Sequence, residues 1–213
     1  MKITDWIKLL RGAARPGLRG TPLLDEWPGG DAAAWLRGFR DDAGNRRAVD
    51  PFLLSHALKL RVTVPESSDE AQQPWLALWR GVAEGALIEL SFDRDTGALF
   101  PGLHEQAIEV WTEGELCGVH ALAWLARGTR EEARLKEAAR WLIENIQPDN
   151  ATAHPWGVHV FAWMGKEDVE ADMYAQTLLH NSMAGRSEPD VLSAVILWDA
   201  ADWLEGMAAH ATG

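Results

Sequence analysis

A single cysteine in 213 residues, Cys117, rules out an internal disulfide framework. Its apolar helical surroundings predict a small buried side chain instead. No run approaches the roughly 20 apolar residues of a membrane-spanning helix. The opening stretch MKITDWIKLLRGAARPGLRG lacks the unbroken apolar segment and small-residue cleavage site of a secretory leader, because Lys8, Arg11 and Arg15 interrupt it. These absences make the cytoplasm the expected location. Positive charge is also scarce, with a net charge of -12 at pH 7. An acidic body repels phosphate backbones, which argues against a nucleic-acid partner.

What is present is an ordinary globular balance, 47% hydrophobic and 24% charged residues. The length suits one core better than two. We read residues 1–48 as an N-terminal basic extension packed on a helical-hairpin domain at 49–213. The charge is uneven. Residues 1–62 hold eleven Lys/Arg against seven Asp/Glu, leaving nine against twenty-five for the rest. The extension either lies against the acidic body or reaches a partner. Twelve tryptophans form the other excess. Their large rings serve a helix-packing framework or a floor on which flat ligands and sugars stack, and their recurrence at helical positions favours the framework.

The chain reads as helix throughout. Ile3 to Leu10 is amphipathic and is expected to end near Gly12 and Pro16. A helix is expected from Ala32 to Phe39, one from Pro51 through Leu60, and one from Pro74 through Leu90. SFDRDTGALFPG is the one stretch resembling a turn or short hairpin. Glu113 to Ala126 is apolar almost all round and reads as a buried helix ended by Gly128. Thr129 with Glu132 forms a capping box for a half-exposed helix to Ile146. Asn150 or Thr152 caps a second buried helix with Pro155 in its first turn. A more polar helix over Glu167–Met183 follows, and Ser187 with Asp190 opens a last buried one. Buried and half-exposed helices thus alternate.

The buried helices repeat. His120-x-x-Ala-Trp124 recurs as His159-x-x-Ala-Trp163 39 residues later, and Asp199-x-x-Asp-Trp203 stands in the same register 40 beyond that. A period near forty lies in the range of helical-repeat architectures. With the loop residues Asp93, Thr96, Gly97 and Pro101 before it, this alternation resembles the α/α-toroid superfamily of six-hairpin glycosidases and terpenoid cyclases over about residues 70–209. The resemblance implies an all-α fold of stacked antiparallel helical hairpins. The chain has room for about four hairpins, so it implies a partial toroid, or one closed by a second copy as a homo-oligomer. It also implies a carbohydrate-active enzyme or sugar-binding relative with an inner-helix pocket. The aspartate-rich signatures of terpenoid cyclases are absent and no glycosidase acid/base pair carries over.

The shared register points His120, His159 and Asp199 at one interior. Two histidines and a carboxylate can ligate non-haem iron or zinc. The same three residues can equally be polar groups that satisfy buried backbone. Asp199 and Asp202, three apart in an apolar helix, are candidates for an acid/base pair. His120, Trp124, His159, Trp163 and Trp203 are the candidate ligand-binding residues, for a sugar or another small molecule. Glu113 and Glu115 are accounted for by the helix dipole at a first turn, and His154 by the helix start before Pro155. The alternative to an enzyme or sugar-binding protein is a non-catalytic helical-repeat scaffold for a protein partner or for self-association.

Overall fold

The computed structural model describes residues 1–24, 27, 29–60, 73–85, 97–147, 152, 154–185 and 187–210. Among these the regular structure is helical, with no strand. The helices are α1 (Ile3–Gly17), α2 (Ala32–Gly38), α3 (Asp50–Ala57), α4 (Trp75–Glu84), α5 (Ile108–Ala126), α6 (Glu132–Asn145), α7 (Val158–Met164), α8 (Val169–Asn181) and α9 (Val191–His210). None of the described helices is long and apolar enough to cross a membrane.

The helix α5 is followed by α6 and packs on it, and α7 pairs with α8 in the same way. The nearly all-apolar helices α5, α7 and α9 touch one another in sequence, and α6 and α8 lie against them. The difference follows from composition. The helix α6 buries only Leu135, Ala138, Ala139 and Leu142 along one stripe, whereas α5 buries an unbroken run from Gly114 to Ala123. Asp168 caps α8 by accepting from the N–H groups of Glu170 and Ala171, and Asp190 caps α9 by accepting from Ser193.

The helix α1 extends well past the expected Leu10. Trp6, Leu10 and Ala14 are fully buried at a spacing of four, and this stripe lies along α9 in the most extensive helix pairing of the fold. Burying Trp6 and Leu10 contributes roughly 1.5–3 kcal/mol each, which outweighs the weak helix propensity of Gly12. Pro16 falls in the last turn, where the bond it deletes is the one to the Gly12 carbonyl. Arg11 then bridges to Asp202 and Glu205 of α9, with its guanidinium 3.9 Å from the centre of the Trp198 ring. Trp6 Nε1 donates to Asp172 of α8 at 2.9 Å.

Other boundaries shift for identifiable reasons. Lys59, at φ 55, ends α3 before Leu60, and Gly85, at φ 67, ends α4. Residues 86–96, which hold the rest of the expected fourth helix together with Asp93 and Thr96, lie outside the described residues, as does Asn150. The capping box at α6 is offset: Thr129 Oγ1 accepts from Glu131 N at 3.1 Å, while Glu132 Oε1 accepts from Gly128 N at 2.8 Å. The helix α7 begins at Val158, not beside Pro155, because Gly157 takes a left-handed φ of 71 that no helix residue can adopt.

Candidate functional site

Two places gather polar side chains into the core. The first is the interior shared by α5, α7 and α9. The turn at Gly157 aims its N–H at His120 Nδ1, 3.2 Å away. That nitrogen is therefore the acceptor, so Nε2 carries the proton and donates to Asp199 Oδ2 at 2.9 Å. Trp124 Nε1 donates to the same oxygen at 2.7 Å. On the other side, His56 Nε2 stands 3.7 Å from Asp199 Oδ1, its ring edge-on to Trp124 at 4.4 Å. Burial depresses the pKa of His120 more than its bond to Asp199 raises it, which keeps the ring neutral.

His159 completes the cluster by packing and makes no hydrogen bond in it. Its ring lies 4.3 Å from His120 and 5.0 Å from Trp203, and neither nitrogen has a hydrogen-bond partner. Burial holds its pKa well below 6.5. Trp203 donates to the Ala123 carbonyl at 2.8 Å, which fastens α9 to α5. Trp163 packs edge-on against Trp203 at 5.7 Å and lies beneath Lys136.

The shared register thus brings His120, His159, Asp199, Trp124 and Trp203 together, with His120 and Trp124 hydrogen-bonded to Asp199 and His159 held by ring packing. Both His120 nitrogens are engaged by protein groups. No set of three His, Cys, Asp or Glu side chains among the described residues is placed to hold a metal ion. The carboxylates of Asp199 and Asp202 also do not face each other as an acid/base pair. Asp199 turns to His120 and Trp124, and Asp202 turns outward to Arg11. The two meet only at a cavity of about 270 Å³ shared with Ser55, His56 and Lys59.

The second place is a cleft of about 1000 Å³ at the start of α5, lined by Arg47, Gln73, Trp75, Phe100, Glu113 and Trp156 among others. Glycines build its wall. A Cβ on Gly114 would stand 2.7 Å from the Trp75 ring, and one on Gly118 would overlap the ring of Phe100. Only glycine lets these rings lie against the helix backbone. Glu115, buried one residue after Gly114, accepts from the N–H groups of Leu99 and Phe100 at 2.9 and 2.8 Å. His104, stacked on Trp141 at 5.1 Å, approaches the same carboxylate at 3.3 Å. The segment carrying Phe100 is thereby locked to α5.

A line of charged groups crosses the floor of this cleft. Arg47 pairs with Asp41 at 2.8 Å and reaches His154 Nε2 at 3.4 Å. A guanidinium can only donate, so His154 Nε2 is the acceptor and Nδ1 holds the ring proton; Nδ1 stands 2.9 Å from Glu113 Oε1 without hydrogen-bond geometry. Trp156 Nε1 donates to that oxygen at 3.2 Å. Burial alone would raise the pKa of Glu113. The contacts from His154 and Trp156 and the charge of Arg47 outweigh it and keep the carboxylate ionised. Cys117 also borders the cleft, but it accepts the Trp79 N–H at 3.2 Å and burial pushes its thiol well above its ordinary range, so it is not an activated nucleophile.

Arg47, Trp75, Phe100 and His154 were not among the residues expected at a site. Glu113 and Glu115 were assigned to a first turn and its dipole, but α5 begins earlier, at Ile108, and the acidic residue of its first turn is Glu109. A signal that could have pointed here is the Gly114/Gly118 pair, one turn apart in an otherwise apolar helix, which implies close approach of bulky groups. No protein-family model matches the chain, and no curated protein or solved structure matches it.

Proposed function

We propose that the protein binds a small ring-shaped, hydroxylated ligand of the carbohydrate class in the cleft at the start of α5. One observation carries the reading: a large cavity where the half-buried Trp75 ring lies beside a fixed, ionised Glu113 and the amides Gln73 and Gln106. Sugars offer an apolar ring face to tryptophan and hydroxyl donors to carboxylate and amide oxygens. The pairing of apolar α5 with the outer α6 and of apolar α7 with the outer α8 supports a partial α/α-toroid architecture and a sugar-binding relative of those enzymes. The site proposed lies at the mouth of α5. His120 and His159, expected in a pocket with Asp199, are fully buried, and of the three Asp199 borders a cavity. Binding is favoured over hydrolysis because the facing Glu109 and Glu113 stand one turn apart on a single helix, where glycosidases flank the bond from two sides.

Titration of disaccharides followed by tryptophan fluorescence and calorimetry tests this. Trp75→Ala is expected to weaken binding about tenfold or more. Absence of saturable binding by any saccharide, or equal binding by the variant, would overturn the reading. The scaffold alternative rests on Val169 and Met173, exposed one turn apart on α8. Two side chains fall far short of the roughly 800 Å² per partner of a stable interface.

A further inference from the structure

Among the described residues that line the cleft, Arg47 is the one cation and is paired with Asp41, while Glu109 and Glu113 are the two carboxylates. Glu113 Oε1 accepts from Trp156 Nε1 and stands 2.9 Å from His154 Nδ1, while Oε2 has no hydrogen bond from the described residues. Its side chain keeps 35% exposure and lines the cleft. A carboxylate held rigidly beside an aromatic face, in a site partly shielded from water, attracts a cation more strongly than it would in bulk solvent.

Resting on the sugar reading above, we infer that the natural ligand carries a protonated amine and is an amino sugar, with its ammonium seated on Glu113 Oε2 and its ring against Trp75. A neutral sugar would leave that carboxylate only hydroxyl donors. A carboxylated or phosphorylated sugar would meet Glu109 and Glu113 with like charge.

The test compares two disaccharides of the same linkage, the β-1,4 dimer of glucosamine and cellobiose, on the full chain. At about pH 6, below the ordinary amine range, the amino dimer is expected to bind at least about tenfold tighter. Its advantage should shrink several-fold between about 20 mM and about 500 mM salt, while cellobiose is unaffected. Glu113→Gln should remove the preference, so that the two dimers then bind alike. Equal affinities with no salt dependence would overturn the amine inference and leave the sugar reading standing. Binding of neither dimer would overturn both. If Glu113→Gln loses cellobiose as well, the cleft has been damaged, and the salt response of the wild-type chain alone decides.

Discussion

Asp50 gives the sharpest energetic test. It opens α3 with its side chain fully buried; Oδ2 accepts from Arg47 N at 2.7 Å while Oδ1 has no partner. Burial raises its pKa from 3.8 to about 6, against the opposing contacts and charge of Arg47. The folded chain therefore holds a proton on Asp50 that the unfolded chain releases between pH 3.8 and 6. Folding is penalised as pH rises through that window, fully so above it. At 1.36 kcal/mol per pH unit the penalty is on the order of 3 kcal/mol. Asp50→Asn abolishes the ionisation, and its amide leaves an unpartnered group that costs about 1 kcal/mol. Urea unfolding should therefore find the variant about 2 kcal/mol more stable than wild type near pH 7.5, with the advantage gone near pH 4. A variant equally destabilised at both pH values would refute the argument, because the carboxylate would then be a net contributor to the fold. Asp50 fixes the backbone from which Arg47 reaches the cleft, so the same variant should disturb sugar binding more than its stability suggests.

His159→Leu should raise stability by about 1–2 kcal/mol, since it removes two buried nitrogens that have no partner. The gain should widen as pH falls below 6.5, where the unfolded imidazole takes up a proton that the buried one refuses; melting temperature against pH measures both. Asp199→Ala strands the N–H groups of His120 and Trp124 and should cost about 2–4 kcal/mol in chemical denaturation. Gly118→Ala drives a methyl into Phe100 and should cost about 1–3 kcal/mol. It should also speed amide exchange over residues 97–104, whereas an unchanged exchange pattern would mean the wall of the cleft is not set by that glycine.

Periodicity revealed the helices and the shared depth of His120, His159 and Asp199, because residues forty apart on like helices occupy like positions. It could not reveal their wiring. The proton on His120 is directed by Gly157, whose left-handed turn has no periodic signature. The cleft was less legible still. Arg47 and His154 meet across 107 residues, both in irregular segments, and Glu113 looks like any first-turn carboxylate until its partners are in place. The early end assigned to α1 failed for a related reason. Gly12 and Pro16 are local breakers, while the stripe that overrides them is rewarded only by contact with a helix at the far end of the chain.

That last contact has a cost in time. Arg11 meets Asp202 across 191 residues, and the Trp6–Leu10–Ala14 stripe lacks its main cover until α9 exists. At roughly 5–20 residues per second of synthesis, α1 waits on the order of 10–40 s after leaving the ribosome with its apolar face open to solvent. During that interval α1 is a liability for chaperones to shield, and its packing closes only when α9 is delivered.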